Sequence, residues 1–513
     1  MRSTFMGLEA SKRGLFTQQS ALYTTGHNIS NANTVGYSRQ RVNMSPTQGY
    51  PGIGLNAPKT PGYIGTGVQA DSVQRIRDGF TDMQYRQETN KLGYWEAKSQ
   101  SITQMEDILN EPSDYGLAKS MDEFWNSLQD LNVRPQDGGA RAVVIQRGVA
   151  VADSLNYMYN SITQLKDNAG EEIGILLKDA NSILEQIASI NEQIQAIEPN
   201  GYMPNDLYDA RDNLLDQLST YFPIETSNVP SGGNSLPIAE GSVTVSLKLK
   251  DGTKVTLVDG KDYAKLQNLG ASESDGITPK DMITGLRIVN KDGSTTEAKI
   301  DNVSDLGKFK ALVDSYGYAD SNGQEKGLFP DMIENLNKMA QEFATAFNTI
   351  HKAGFDLAGA TGQAFFVQKG STDETGITAG NIYVNQALID DPNLIAASDA
   401  ANEPGNGKQA LKLANMKFDS IAGLEDVSVQ TYFEGLIGQL GVDGQQAQRL
   451  AYNAQTLQQA VTERRASISS VSLDEEMTNM ITFQQAYNAN ARMITVIDET
   501  LDKIINGMGR VGL

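Results

Sequence analysis

Over most of the chain apolar residues recur every three or four positions, the periodicity of helix. The last such stretch reads Leu473, Met477, Met480, Tyr487, Ala491, Ile494, Leu501, Ile505 and Met508, with polar Gln484 and Asp498 filling two rungs. That is a heptad seam, the pattern of a helix wound on a partner. Ser472 and Glu475 form a capping box, and Asp474, Glu475 and Glu476 suit the positive end of the helix dipole. A thinner heptad opens the chain: Phe5, Leu8, Lys12, Leu15, Gln19, Leu22, Gly26 and Ile29. Gly14 and Gly26 weaken it, so alone it is marginal in water. Pairing the two termini is the economical expectation. Everything between them is then one long excursion that returns to its start.

Within the excursion, Asn- and Ser-rich residues 27–40 stop the first helix, and a Pro/Gly-rich connector at 45–67 drapes on other structure. Helix resumes near Gly79, with Leu92, Trp95, Ile102, Met105 and Leu109 on one face, and again over Leu117 to Leu131. A register from about Gly139 to Glu198 would make a helix of about 85 Å if Gly170 and Gly174 do not kink it. A shorter helix covers 205–220. From 222 to 328 the pattern changes to alternation. Val243, Val245, Leu247 and Leu249, then Asp251-Gly252, predict a hairpin, and Leu286, Ile288 and Asp292-Gly293 a second. Helix returns over Asp331–Lys352, a strand-like run lies at 380–385, and helices follow at 408–418, 429–440 and 443–468. The predicted fold class is mainly α with an inserted β domain: a terminal α-helical coiled coil with extended connector (1–68 plus 468–513), a long helical-bundle rod (69–221 plus 329–467), and a small β-rich outer domain (222–328).

Composition narrows the function. The chain has 513 residues, no cysteine, two histidines and a formal net charge of -21. Disulfides, zinc-thiolate sites and thiol nucleophiles are excluded. The acidity argues against sequence-independent nucleic-acid binding. No apolar run is long enough for a membrane span. The first 60 residues nevertheless hold six Lys/Arg and one acid, Glu9, and no cleavable signal pattern precedes them. His27 sits among turn-forming asparagines and His351 ends an amphipathic helix, both structural settings. Pro404–Lys408 lacks the first glycine of a phosphate loop, and around Asp320–Gly323 the glycine and glutamate that a calcium loop requires are out of place. Arg464-Arg465 reads as a charged helix face. No catalytic, metal or cofactor constellation emerges.

The run Asn28-Ile29-Ser30-Asn31-Ala32-Asn33-Thr34-Val35-Gly36-Tyr37-Ser38-Arg39-Gln40 resembles the N-terminal signature of bacterial flagellar rod, hook and hook-associated proteins. Phe483 to Arg492, containing Gln485, Ala486 and Tyr487, with Asp498 and Leu501, resembles their C-terminal signature. Phe343 to His351 followed by Gly354, Asp356-Leu357, Gly359, Gly362 and Phe365-Phe366, and Val384-Asn385 followed by Asp391-Pro392 and Ile395 to Ser398, resemble the hook–filament junction branch of that family. The resemblance implies a non-enzymatic structural subunit of the extracellular flagellum, exported unfolded by the flagellar type III pathway. It implies a homo-oligomer in a helical ring, contacts to hook protein and a second hook-associated junction protein, and an export chaperone on the C-terminal segment. No cofactor, nucleic acid or membrane insertion is implied. Asn31, Asn33, Thr34, Gly36, Tyr37, Gln485, Ala486 and Tyr487 carry the motif. The terminal seam would pack Phe5, Leu8, Leu15, Leu22 and Ile29 against Met477, Met480, Tyr487, Ile494, Leu501 and Ile505. Rival readings are a secreted helical effector or toxin using the same export route, and another axial component. The lack of a membrane-length apolar hairpin opposes the first, and the runs at 343–366 and 384–398 the second.

Overall fold

The computed structural model describes residues 5–50, 65–109, 116–270 and 272–507, so Met508 of the expected seam and residues 51–64 of the connector lie outside it. Helix α1 (Phe5–Ser30) leads into an antiparallel hairpin, β1 (Gln40–Pro46) against β2 (Val68–Arg75). Helices α2 (Gly79–Leu109), α3 (Leu117–Val133), α4 (Gly138–Ile197) and α5 (Asn205–Tyr221) follow. Two antiparallel sheets come next. One is β3 (Ile224–Val229), β4 (Ser242–Lys248), β5 (Lys254–Asp259) and β6 (Asp262–Tyr263); the other is β7 (Lys265–Leu269), β8 (Gly285–Val289) and β9 (Thr295–Lys299). Then come α6 (Lys308–Tyr316), the short ladder of β10 (Tyr318–Ala319) and β11 (Glu325–Lys326), and α7 (Leu328–Lys352). The ladder of β12 (Phe366–Gln368) and β13 (Ile382–Val384) precedes α8 (Gln386–Asp390), α9 (Lys408–Asn415), α10 (Val429–Ser469) and α11 (Leu473–Gly507). The chain is mainly α with an inserted β unit.

Helix α4 is the spine. Its 60 residues correspond to about 90 Å at helical rise. It starts where the Asp137 side chain accepts a hydrogen bond from Gly139 N (2.8 Å). Val144, Val151, Leu155, Met158, Ile162 and Ile173 are buried along one stripe. Helical assignment runs unbroken through Gly170 and Gly174. These glycines serve approach rather than bending: a Cβ would lie 2.8 Å from the Tyr316 ring at Gly170 and 2.5 Å from Thr278 at Gly174. The β unit lies along the second half of this helix. Two buried or half-buried asparagines staple it there. Asn191 donates to Val243 O and accepts from Val243 N, and Asn181 does the same with Leu266. Each satisfies strand backbone groups that would otherwise face a helix without partners. The alternating Val243, Val245 and Leu247 are buried and join a core continuous with the rod.

The connector, expected to be extended and draped on other structure, is flanked by β1 and β2, which pair with each other and pack on α1. Two local expectations change. The span 222–328 contains α6, whose Phe309, Leu312, Val313 and Tyr316 are buried at three- and four-residue steps, and this helix packs on α2 and α4. The two helices expected at 429–440 and 443–468 are one, α10. Gly444 lies at closest approach to α2, where a Cβ would sit 3.0 Å from Glu106 and 3.1 Å from Ile102. The helix is carried through this glycine by packing, which overrides propensity.

The run Phe343–Phe366 is core. Phe343, Phe347, Phe365 and Phe366 cluster with Phe124 and Trp125, with ring centroids 4.9–6.4 Å apart. Asn348 pins the returning chain, accepting from Phe365 N (2.8 Å) and Phe366 N (2.9 Å) and donating to Phe366 O (2.7 Å). Beneath them His351 is fully buried. Its Nδ1 lies 2.6 Å from Gln363 O, and its Nε2 accepts from Ala396 N at 3.1 Å. Burial pushes its pKa down to about 4, so the ring is neutral, with Nδ1–H donating.

Candidate functional site at the joint of termini and rod

The first and last helices lie side by side and antiparallel. Gly7 faces Ile497, Gly14 faces Asn490, and Asn28 bonds to Glu476. These pairs step by heptads in opposite directions along the two helices. The same register sets Ala21 opposite Phe483, and both line one cleft. Small residues on α1 let the backbones approach closely: a Cβ on Gly14 would lie 2.9 Å from Asn490 Oδ1. Gly14 is thus an interface residue rather than a weak point. We expect Gly14→Leu to wedge the pair apart and speed amide exchange throughout α11. Gly26→Ala, where nothing lies within 4 Å, should slow exchange in α1 instead. Equal exchange in the two variants would refute the register.

Met480, Tyr487, Ile494 and Leu501 are half-buried, as are Leu8, Leu15, Leu22 and Ile29. Phe5, Met477 and Ile505 are not enclosed, being 60%, 57% and 69% exposed. The covered rungs of α11 alternate 480, 487, 494 and 501 with Glu476, Phe483, Asn490 and Ile497, one residue away from Met477, Gln484, Ala491 and Asp498. Gln484 and Asp498 are exposed and occupy no rung. The offset has a cause at the start of the helix. Glu476 is drawn inward by two donors, Asn28 Nδ2 (3.1 Å) and Arg39 Nε (2.7 Å), and is the buried residue of α11. A hydrophobicity pattern prefers Met477 there, but charge-assisted bonds outweigh one apolar side chain.

The signature segment builds the other side of this contact. Asn28 satisfies all its hydrogen-bonding capacity: Oδ1 accepts from Gln40 N and Tyr37 OH, and Nδ2 donates to Gln40 O and Glu476. Because the Tyr37 proton goes to Asn28, its oxygen accepts from His27 Nδ1 at 2.9 Å. Burial, with Asp206, Asp209 and Glu476 nearby, pushes the Tyr37 phenol well up, so it remains a donor. Asn31 and Thr34 close the turn after α1: Thr34 Oγ1 donates to Asn31 Oδ1, and Thr34 N to Asn31 O. Gly36 has φ +79°, and a Cβ there would overlap the Asn213 amide on α5, so a side chain here is strained and must displace Asn213. Asn33 and Gln485 are exposed, whereas Ala486 is half-buried.

Behind the signature lies an ion network that the apolar pattern does not reveal. Arg75 pairs with Asp209 (2.6 Å), Asp212 (3.0 Å) and Glu240 (2.5 Å); Arg77 with Asp82 (2.9 Å) and Asp212 (3.0 Å); Arg86 with Asp212 (3.1 Å) and Asp216 (2.8 Å). Arg211 pairs with Glu240 (2.8 Å), and Arg465 with Asp82 (2.8 Å) and Asp216 (2.7 Å). Two guanidinium groups lie near the Tyr208 ring, Arg75 at 5.1 Å and Arg211 at 5.3 Å from its centroid. The network ties the end of β2, the start of α2, α5 and the end of α10 together. Arg39 N then bonds the O of Ser469, the last residue of α10 (2.9 Å), and its side chain pairs with Glu475 and Glu476 on α11. Arg465 is therefore not a solvated helix face. One signal was readable: Asp209, Asp212 and Asp216 recur at helical spacing on α5, an acidic stripe opposite arginines at 75, 77 and 86. The assembled site is a mechanical joint. Among the described residues no group of acidic and histidine side chains is arranged to hold a metal ion, and no helix is long and apolar enough to cross a membrane.

Comparison with known proteins places this joint. The flagellar hook-associated protein FlgK helical domain matches residues 102–366, the flagellar basal body rod FlgEFG protein C-terminal matches 464–507, and the flagella basal body rod protein matches 8–37. The two terminal matches hold Asn28, Tyr37, Arg465 and Glu476. Flagellar hook-associated protein 1 of Bacillus subtilis (strain 168) is 44% identical over 512 residues, covering 99% of each chain. That of Escherichia coli (strain K12) is 25% identical over 427 residues, 82% of this chain and 71% of its own. The structure of the flagellar hook junction protein FlgK from Burkholderia pseudomallei shares the fold, with TM-score 0.60 and 13% identity over 76% of this chain and 100% of that one. The chain belongs to the flagellar hook-associated protein 1 (FlgK) family.

Proposed function

We propose that this protein is a structural subunit of the bacterial flagellum that forms the junction between hook and filament. The observation that carries the reading is the pairing of the two chain ends into one antiparallel helix pair, set on a long helical rod by a buried ionic joint. That pair keeps Phe16, Tyr23, Met493 and Val496 more than half exposed, apolar surface that neighbouring subunits would cover. In assembly the pair acts as a terminal coiled coil. The partners are further copies of the chain in a helical ring, hook protein on one side and a second hook-associated protein on the other. An export chaperone holds the C-terminal helix beforehand, and the working location is the extracellular flagellum. The mechanism is geometric: one rigid subunit presents different surfaces to two tubes. Deletion of the gene tests this. Hooks without filaments, with flagellin lost to the medium, are expected; intact filaments would overturn the proposal.

A further inference from the structure

The exposed half of α10 is chemically unlike the rest of the rod surface. From Gly444 to Thr462, 19 residues, the one charged side chain is Arg449. The spine helix α4 gives the contrast: between Lys166 and Glu192 it carries eight charged residues, as a hydrated face does. From residue 444 to 462 α10 buries Gly444, Ala447 and Ala454 against α2, half-buries Leu450, Ala451, Gln458 and Val461, and turns the remainder outward. That outward face is glutamine, asparagine and threonine, with Tyr452 69% and Leu457 54% exposed. Depletion of charge with a retained aromatic is the composition of an interface core.

We propose that this face of α10, Gln445 to Ala460, is covered by a second copy of the chain. The inference rests on the subunit reading above and assigns one of its contact surfaces. The choice of occupant follows from charge. Every copy carries -21, so two copies repel across most of their surfaces. A face whose one charge is the cation Arg449, among amides, hydroxyls and a phenol, meets another acidic copy without like-charge contact. A basic partner would instead select an acidic face. The pattern also continues along the chain. α10 passes into α11 through Ser470, Val471 and Ser472, and from Met477 to Ile497 the one charged residue is Arg492. Between Arg13 and Arg39 the chain bears no Lys, Arg, Asp or Glu.

The test places a photo-crosslinking p-benzoylphenylalanine at Tyr452 in the full-length chain, supplied as the sole copy in cells whose hook–filament structures are then isolated and irradiated. A control carries the probe at Ile175 on α4, which is 58% exposed among charged neighbours. The expected product is an adduct of twice the 55.6 kDa chain, joined from residue 452 to another copy, and absent with the control probe. In parallel, the double variant Tyr452→Glu, Leu457→Glu should keep the thermal unfolding of the purified chain and lower its incorporation about tenfold or more. An adduct to a different protein, a crosslink within one chain, no product above the control, or normal incorporation of the double variant overturns the inference. If the chain is missing from the isolated structures even without substitutions, the functional reading itself falls.

Discussion

Asp212→Ala is expected to destabilise the joint by about 3–5 kcal/mol, the cost of leaving buried cations without their partner. Asp212 lies between Arg75, Arg77 and Arg86, all of them mostly buried. Burial alone would raise the pKa of its carboxyl. The guanidinium groups of Arg77, Arg75 and Arg86 outweigh that and hold it well below the usual carboxylate range. A carboxylate depressed in the folded state contributes stability above its unfolded pKa of ~3.9, lost only as pH falls through the folded value. The contribution is therefore complete at neutral pH. The comparator is Glu225→Ala, which removes the partner of Lys254 in a pair about half exposed on both sides and should cost at most about 1 kcal/mol. Urea denaturation at neutral pH, read by amide exchange at residues 74–78 and 465–476, separates the two. Similar losses in both variants would mean that the network is solvated rather than structural.

The second large effect is acid sensitivity of the aromatic core. Protonation of His351 in the folded protein would place a charge against Phe347 and Phe365 and break its bond from Ala396 N. With a folded pKa of about 4 against an ordinary 6.5, the unfolded chain takes up the proton first as pH falls. Stability is thus full above pH ~6.5 and declines toward pH ~4, by about 2.5 kcal/mol between pH 7 and 4.5. Trp125 packs on Phe343 and Phe347 and reports this region by fluorescence once Trp95→Phe removes the other indole. His351→Gln should be less stable at pH 7 and should lose that part of the pH dependence. A variant whose stability falls with acid as steeply as the natural chain would show that other groups govern it.

What the sequence disclosed depended on how local the signal was. Helix α4 was readable nearly to its ends, because its stripe of Ile and Leu is continuous and Asp137 and Pro199 bracket it. The terminal helices were readable as elements, yet their packing frame was not. The frame of α11 is set by Glu476, whose reason for being inside is Arg39, 437 residues away. The ion network is hidden for the same reason: its residues come from four separate passes of the chain, and apart from Arg77 with Asp82 each pair joins two different passes. Helix α6 was missed because nine residues give little more than two turns of periodicity within a glycine-rich span. His351 read correctly as structural, but its Ala396 partner belongs to a loop with no periodicity at all.

The joint also dictates an order of events. Asn28 and Glu476 are 448 residues apart, and closing a flexible loop of that length costs about 5 kcal/mol in chain entropy. Once the rod has folded and Arg465 holds Asp82, the free chain between α1 and α11 shrinks to the hairpin and one short turn. That lowers the closure cost by roughly 2 kcal/mol, about a thirtyfold rise in the effective concentration of one helix at the other. The terminal pair is accordingly expected to form last, although α1 is the first helix in the chain; pulse-labelled amide exchange that protects α1 and α11 before α4 would contradict this. Until residue 465 is in place, α1 keeps its small-residue stripe, Gly14 and Ala21 among it, open to any other helix it meets.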